Sequence, residues 1–423
     1  MTSLTATEMA AVRAEFPSFS VPNQSIFFDN AGGGQVLKRV ADKVYEYLTT
    51  TSVQIGGTYA TAKCGNARVL AARKAVAEFI NAPNDEEVVM GSSTTSLMFL
   101  LIQAILPSIR PGDEIILTNS EHEANIGAWK RLASAGAVIK VWEVNPQSMH
   151  LELSQLDALL SNKTKWVAMT HASNVLGTVN PVKEVAARVH AVGAKLSVDA
   201  VAYAPHRLVD VQASNADIYV FSFYKVFGPH YAVMWGRREL LISFASLNHE
   251  CIAQDDVPYK LQPGNVNCEL VHGVTGIPEY FAAMGKVLGA PAGASNRALM
   301  QHAFDRFEQH ENFLSERLLA YLRSKNNIKI LGLPCNSKLH TDNIVRERIA
   351  TIAFLVEGVS PRTIIDHTDR YNIGIRYGNY YAMGLAKSFD FVKFGGAVRV
   401  SMAHYNTAEE VDQLIARLKE VIP

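Results

Sequence analysis

The chain has 423 residues, of which 48% are hydrophobic and 19% are charged, an ordinary composition for a globular protein with a large core. This length suggests two or three domains. Lysine plus arginine and aspartate plus glutamate both number 40, so no excess charge is available to attract nucleic acid or a membrane surface. The four cysteines have neither metal-site nor disulfide-framework spacing, so we expect reduced thiols in a cytoplasmic protein and no metal site.

The N-terminal region lacks the apolar segment of a signal peptide. The longest apolar run, 97–106, is too short to cross a bilayer, which predicts a soluble protein. A short helix over 8–16 is followed by an extended arm and a strand over 26–30. The strand leads into three glycines, 32–34, which let the backbone approach a ligand or a helix but can equally form a simple turn.

Helical periodicity over 35–48 and 66–81 precedes a strand that begins at Val88 and runs into the hydroxyl-rich turn 92–96. The helix that follows, from Leu97, would point its free N–H groups at the turn. Such a turn can bind an anion, although serine or threonine there can also serve only as a helix N-cap.

Strands and helices then alternate in the pattern of a mainly parallel sheet with helices on both faces. The predicted strands are 114–118, 138–143, 166–170, 196–199, 218–222 and 231–236, and the helices between them lie near 123–135, 152–160 and 182–192. Residues 241–275 are predicted to be irregular and could reach across a dimer. A smaller domain follows Pro291, and its predicted elements are the helix 300–324, strand 349–357, helix 361–370, strands 373–376 and 397–402, and helix 407–420.

Two charged residues lie where charge is costly. Asp199 ends one predicted buried strand, and Lys225 follows another at the same edge of the sheet, where ligands bind in open α/β sheets. Pyridoxal phosphate uses both residue types: a lysine for a Schiff base and a carboxylate for its pyridine nitrogen. From these two residues alone, a structural Asp–Lys pair remains an equal alternative.

Three further stretches, 171–178, 204–211 and 405–411, resemble the class V aminotransferase family of fold-type I pyridoxal phosphate enzymes, which includes cysteine desulfurases. The resemblance extends from about Phe27 to the C-terminus. It implies an α/β fold with a mainly parallel seven-stranded sheet and a smaller α/β C-terminal domain. The implied divisions are an N-terminal arm packing on the small domain (1–26), a large cofactor-binding domain (27–290) and a small domain (291–423).

The resemblance also implies roles for individual residues, with pyridoxal 5′-phosphate as the cofactor. Lys225 would hold the cofactor and move protons with a lowered pKa, Asp199 would pair with its ring nitrogen, and His122 would stack on its ring. Asn174 would lie near the ring hydroxyl, and Arg399 would bind the substrate α-carboxylate through two parallel hydrogen bonds. The implied phosphate contacts are Thr94, Thr95, Ser222 and Tyr224 from one subunit and Gly264 and Asn265 from the partner subunit of a homodimer with shared active sites.

Three positions depart from the desulfurase pattern. Tyr381 occupies the position of the sulfur-accepting cysteine, and a phenol cannot form a persulfide, so we expect no desulfuration by the family mechanism. Ala202 replaces a glutamine, and Tyr224 replaces a histidine that relays protons more easily near neutral pH. This combination resembles a narrower branch that includes the decarboxylative aldolase of fungal ustiloxin biosynthesis. In that branch Tyr381 and His404 would contact substrate, although His404 can equally be a buried structural histidine.

The sequence therefore predicts a pyridoxal phosphate-dependent lyase that cleaves or forms a bond at Cβ of an amino acid through an alanine enamine, in a biosynthetic pathway. The alternatives are a cysteine desulfurase or cysteine sulfinate desulfinase, an aminotransferase, and a non-catalytic pyridoxal-binding regulator. A dinucleotide-binding domain is disfavoured because no G-x-G-x-x-G follows the first strand.

Overall fold

A computed structural model describes residues 2–336, 339–341 and 344–423. The strands in this part of the chain are Ile26–Phe27 (β1), Val88–Gly91 (β2), Glu114–Thr118 (β3), Val138–Trp142 (β4), Thr164–Thr170 (β5), Lys195–Asp199 (β6), Ile218–Ser222 (β7), Ala232–Gly236 (β8), Ile328–Leu331 (β9), Leu339–Thr341 (β10), Ile344–Arg346 (β11), Thr351–Val356 (β12), Ile373–Gly374 (β13), Arg376–Gly378 (β14) and Ala397–Ser401 (β15).

The α-helices of the same residues are Ala6–Ala14 (α1), Lys38–Thr50 (α2), Ala60–Ile80 (α3), Thr94–Ile105 (α4), Glu123–Trp129 (α5), Leu153–Leu159 (α6), Val182–Ala191 (α7), Val211–Ser214 (α8), Arg238–Ser243 (α9), Cys268–Gly273 (α10), Gly276–Val287 (α11), Asn296–Arg323 (α12), Pro361–Asp369 (α13), Met383–Ser388 (α14) and Ala408–Val421 (α15).

The large sheet has the predicted seven strands, in the order β2-β8-β7-β6-β5-β3-β4. The pairs formed by β4, β3, β5, β6 and β7 are parallel, and β8 is antiparallel to both β7 and β2. Alternate residues of β7 face different cores: Tyr219 and Phe221 join one, and Ile218 and Val220 join the other. The strand is therefore buried on both faces, which confirms the predicted α/β fold with helices on both sides.

A second, four-stranded antiparallel sheet has the order β14-β15-β12-β9 and packs with α12, α13 and α15 in a core of its own. The N-terminal segment contacts both parts of the molecule. Arg13 pairs with Glu410 at 2.8 Å, whereas Phe16 lies in the large core. Strand β1 pairs with β13, and Asp29 bridges to Ser401, so residues 26–29 join the small-domain strands.

The predicted irregular segment 241–275 contains the short helix α10, and the helix α11 that follows was not predicted. Close packing against α12 explains why α11 contains Gly285. A Cβ at this position would lie 2.1 Å from the carbonyl oxygen of Leu299, so the missing side chain allows α11 and α12 to pack closely. In the described residues, no helix is both long and apolar enough to span a membrane.

Candidate active site

A cavity opens where β5, β6 and β7 end, close to the small domain. Because these strands are parallel, the side chains at their carboxyl ends meet at one edge of the sheet. The structure brings together there all but three of the predicted site residues: Thr94, Thr95, His122, Asn174, Asp199, Ser222, Tyr224, Lys225, Tyr381 and Arg399 line the cavity. Ala202 lines it as well.

Asp199 is the last residue of β6 and is 4% exposed. Its Oδ1 accepts a hydrogen bond from the Val201 backbone N–H at 2.9 Å. Burial raises the pKa of Asp199 to about 6, and the Val201 N–H and the charge of Lys225 oppose that rise. A buried carboxylate with this environment favours a cationic partner inside the cavity.

Lys225 ends the 3₁₀ turn Phe223–Lys225, which directly follows β7. Its Nζ donates a hydrogen bond to the Ala31 carbonyl, in the glycine-rich segment that follows β1, and lies 5.2 Å from the centre of the Tyr224 ring. Burial lowers the pKa of Lys225 to about 7, and nearby Arg399 adds to the effect, while Asp29 and Asp199 oppose it. The direction is the one expected for a lysine that transfers protons near neutral pH.

The start of α4 forms a hydroxyl-lined cup. Ser93 is the N-cap, because its side chain accepts from the Ser96 N–H at 3.0 Å. Thr94 is therefore free of the capping role, and its buried hydroxyl lies 2.7 Å from the hydroxyl of Ser222 at the end of β7. Free N–H groups, the helix dipole and two hydroxyls thus converge on one place, the arrangement that binds phosphate.

His122 caps α5: its Nδ1 accepts a hydrogen bond from the Ala124 N–H at 3.0 Å. Burial lowers the pKa of His122 to about 4, and the charges of Lys225 and Arg399 lower it further. The imidazole is therefore neutral at pH 7 and carries its proton on Nε2. The neighbouring Glu121 was not predicted. It is buried and accepts from the Thr170 N–H at 2.7 Å and the Asn125 amide at 2.7 Å, which fixes the loop before His122.

Arg399 is 3% exposed and is held by three partners. It donates to the Asn174 carbonyl at 3.1 Å and to Asp29 at 3.1 Å, and the Tyr380 ring lies 4.0 Å from its guanidinium carbon. The other oxygen of Asp29 pairs with Arg376 at 2.8 Å. Among the described residues the buried Nε of Arg399 has no hydrogen-bond partner, so the guanidinium retains a donor for a ligand.

Sequence reasoning missed Asp29, Arg376 and Tyr380. Arg376 and Arg399 are direct cross-strand partners on β14 and β15, and Asp29 neutralises part of their combined charge. The sequence of β15 showed one charged residue, Arg399, in an otherwise apolar strand. It gave no indication that the counter-ion lies some 370 positions earlier in the chain.

Tyr381 projects at the mouth of the cavity, with 68% of its surface exposed. It and Tyr380 both adopt left-handed backbone conformations, with φ of 56° and 55°. Hydrogen bonds hold the loop: the Glu123 N–H donates to the Tyr381 carbonyl at 2.7 Å, and the Asn174 amide donates to the Tyr380 carbonyl at 2.9 Å. The Tyr381 and His122 rings are 5.4 Å apart.

The three remaining predicted site residues lie outside the cavity. Gly264 and Asn265 are exposed on the surface, and their contribution to a partner subunit's phosphate site stays a prediction. His404 does not line the cavity and matches the alternative interpretation, a buried structural histidine. His404 has no exposed surface and lies in an aromatic cluster, where its Nε2 is 2.6 Å from the Tyr280 hydroxyl. The motif 404–407 identified a special residue but could not show which side of the loop faces the cavity.

Comparison with known proteins agrees with this geometry. The model of the family "Aminotransferase class-V" matches residues 26–414. The chain belongs to the class V aminotransferase family. Members of this family and its cysteine desulfurase homologues are pyridoxal phosphate-dependent enzymes.

Three relatives illustrate the range of the family. An aminotransferase-like protein of Gibberella zeae is 39% identical over 97% of this chain and 98% of its own length. A nonribosomal peptide synthetase-like enzyme of Aspergillus fumigatus is 32% identical over 97% of this chain but only 26% of its own length. A cysteine desulfurase of Serratia proteamaculans is 30% identical over 97% of both chains.

Solved structures share the fold. A cysteine desulfurase of Thermococcus onnurineus superposes with a TM-score of 0.83 at 24% identity, covering 100% of this chain and 99% of the other. A cysteine desulfurase of Escherichia coli superposes with a TM-score of 0.81, also at 24% identity, covering 98% of both chains.

Proposed function

We propose that the protein is a pyridoxal phosphate-dependent lyase that cleaves or forms a bond at Cβ of an amino acid. The observation that carries the proposal is the composition of one cavity. It contains a half-buried lysine, a buried carboxylate, a hydroxyl cup and a buried arginine, the groups that pyridoxal phosphate chemistry would use, and a tyrosine at the position where the resemblance to desulfurases implies the sulfur-accepting thiol.

The residues fit this cofactor. The hydroxyls of Thr94, at the start of α4, and Ser222, at the end of β7, would hold its phosphate, and Thr95 and Tyr224 line the same cavity. Asp199 would accept a hydrogen bond from the ring nitrogen and stabilise its protonated form, since a buried carboxylate favours a neighbouring positive charge. When bound, pyridoxal phosphate supplies an electron sink for negative charge at the substrate α-carbon.

The chain's own groups bind the substrate and move its protons. Arg399 presents an unpaired buried Nε–H for the α-carboxylate, and Asn174 and Tyr380 fix the plane of its guanidinium. Lys225, with a pKa of about 7, can take the α-proton on Nζ and return it. His122 carries a proton on Nε2 and can donate a hydrogen bond to a group departing from Cβ.

Tyr381 distinguishes this site from a sulfur-transferring one. Its phenol cannot attack sulfur to form a persulfide, whereas its exposed ring can contact a substrate side chain at the cavity mouth. The match to part of a nonribosomal peptide synthetase-like enzyme supports a role in a biosynthetic pathway. The four cysteines are free thiols, which suits the cytoplasm.

The reaction type is tested with an amino-acid panel. Purified protein is incubated with cysteine, cysteine sulfinate, aspartate and γ-hydroxylated amino acids, with Lys225→Ala as the control, and alanine, aldehyde, sulfide and sulfite are assayed together. Lyase chemistry predicts Lys225-dependent alanine with an aldehyde, or an aldehyde-trapped product from aspartate. Sulfide or sulfite with alanine would instead make the protein a desulfurase or desulfinase, as the names of several relatives suggest.

Two other outcomes would overturn the proposal. Transfer of the amino group to an added 2-oxo acid would indicate an aminotransferase, the alternative that the name of the Gibberella zeae relative suggests. Cofactor binding without turnover of any panel member would indicate a regulator.

We also infer a homodimer in which Gly264 and Asn265 complete the partner's phosphate site. Large apolar side chains are exposed on α2 and the segment after it: Tyr45, Leu48 and Tyr59. Such a surface supports an interface between copies. Lys225→Ala and Asn265→Asp proteins should each be inactive, yet their mixture should regain activity, because one site of the hybrid has both native residues. A monomer in light scattering, or no recovery on mixing, would contradict this.

A further inference from the structure

His404 lies behind the turn that carries Lys225, and the proposed chemistry does not use it. Its ring stacks on Phe307 with centroids 4.0 Å apart, and its Nε2 lies 2.6 Å from the Tyr280 hydroxyl. It also packs edge-to-face on Phe227, with centroids 4.8 Å apart and planes at 82°. Burial lowers the pKa of His404 far below its usual range, so it is a neutral aromatic ring inside the core.

Phe227 is the strained residue of the lysine turn. It comes two residues after Lys225 and has a φ of 62°, a left-handed conformation that a bulky side chain adopts only when its surroundings impose it. Its ring fits between His404 and Gly34. A Cβ added to Gly34 would lie 2.9 Å from the Phe227 ring. Its carbonyl accepts from the Leu37 N–H at 3.0 Å.

The same residue is part of the loop that fixes the lysine. The carbonyl of Phe223 accepts from the N–H groups of Val226 at 2.8 Å and Gly228 at 2.9 Å, so Lys225 and Phe227 both lie within the same closed turn. A change in the backbone angle at Phe227 therefore reorients the turn and moves the lysine amine. Close packing of the Phe227 ring resists such a change.

We propose that His404 is a positioning residue that holds the Lys225 turn in place by packing on the ring of Phe227, the residue of the turn with a left-handed backbone conformation. The inference rests on the proposed function only in that Lys225 carries the cofactor. In this proposal the edge-to-face packing of His404 on Phe227 sets the geometry of the bound cofactor, and the hydrogen bond to Tyr280 stabilises the fold.

Two substitutions separate those two roles in the cofactor-loaded protein. His404→Gln can keep a hydrogen bond to Tyr280 but lacks the ring, whereas His404→Phe keeps the ring and leaves the hydroxyl unpaired. The rate of cofactor release and the visible circular dichroism of the bound cofactor report the geometry at Lys225. We expect His404→Gln to release cofactor about fivefold faster or more, as loss of an aromatic pair allows. His404→Phe should remain within about twofold of wild type in release while melting earlier.

A double-variant comparison tests the route through Phe227. If His404 acts through this ring, adding His404→Gln to Phe227→Leu should not speed release beyond Phe227→Leu alone, because the two residues form one coupled unit. Multiplicative effects of the two changes would overturn the proposal. The comparison with Phe227→Leu also applies to His404→Asn, should His404→Gln fail to fold.

Leu418→Ala is the control for general loss of stability, because Leu418 is buried in the small-domain core on α15. It should lower the melting temperature without changing cofactor release. Equal acceleration by Leu418→Ala, or unchanged release in His404→Gln, would show that His404 is merely structural. Failure of the wild-type protein to bind pyridoxal phosphate would be a different result, and would refute the proposed function itself.

Discussion

The carboxylate of Asp29 joins two arginines, so Asp29→Asn is an informative perturbation of the site. The substitution removes the counter-charge of the buried Arg399 but leaves its contacts with Asn174 and Tyr380. Breaking a buried ion pair from one side costs ~3–5 kcal/mol. We expect about 2–3 kcal/mol, because Asp29 is partly exposed and asparagine retains an acceptor oxygen.

This loss converts into a measurable change in melting temperature. With an unfolding entropy of ~2.1 cal/mol/K per residue and 423 residues, 2–3 kcal/mol corresponds to a fall of about 3 °C. A small carboxylate such as propionate should compensate by pairing with the uncovered guanidinium. At ten times its dissociation constant it would contribute about 1.4 kcal/mol. The propionate-dependent rise in melting temperature should therefore be larger for Asp29→Asn than for wild type.

Asp366→Asn is the matched control. Asp366 pairs with Arg362 at 3.3 Å in an exposed i,i+4 arrangement, which contributes ~0.3–0.5 kcal/mol. It should melt within a degree of wild type and respond to propionate as wild type does. Equal melting temperatures of Asp29→Asn and wild type, or equal stabilisation of the two proteins by propionate, would contradict the role of Asp29 as counter-ion.

Three other predictions concern the rest of the site. Tyr380→Leu removes the ring from Arg399 and should weaken propionate binding about fivefold in calorimetry, since such a contact contributes ~1 kcal/mol, whereas Tyr380→Phe should bind within about twofold of wild type. Thr94→Val removes one hydroxyl of the cup and should weaken pyridoxal phosphate binding about tenfold in equilibrium dialysis. Ser92 lies outside the cavity, so Ser92→Ala should bind the cofactor as wild type does. Equal affinities of Thr94→Val and wild type would contradict the phosphate assignment. The pKa of Lys225 is lowered to about 7 in the folded protein, against an ordinary 10.5. Without cofactor, the unfolded chain therefore binds more protons at Lys225 than the folded chain does between these two pH values. The free energy of unfolding should increase as the pH rises through this window. Lys225→Met should remove that rise when the free energy of unfolding is compared at about pH 7.5 and about pH 9.5, and identical slopes would refute the pKa.

The strand-end residues were predictable because the sheet edge is a local consequence of sequence. Asp199 ends one short apolar strand and Lys225 follows another, and parallel strands bring their carboxyl ends together whatever the loops do. Strands β3 and β7 have the predicted bounds, since a strand that is buried on both faces reads as a continuous apolar run with clear ends.

The carboxylate end of the site was less predictable because it depends on contacts between distant parts of the chain. Asp29 reaches Arg399 only because β1 pairs with small-domain strands, and Tyr380 reaches it through a left-handed turn that no residue pattern indicates. The place of His404 was left open for a related reason: a histidine in the motif 404–407 indicates a special environment but not which side of the loop it faces.

The most direct test of the central claim is the identity of the lysine that carries pyridoxal phosphate. The protein is loaded with the cofactor, reduced with borohydride to make the attachment permanent, digested and analysed by mass spectrometry. We expect a single modified peptide containing Lys225, and no visible cofactor absorbance in Lys225→Ala. Attachment at another lysine, or no attachment in the wild-type protein, would contradict it.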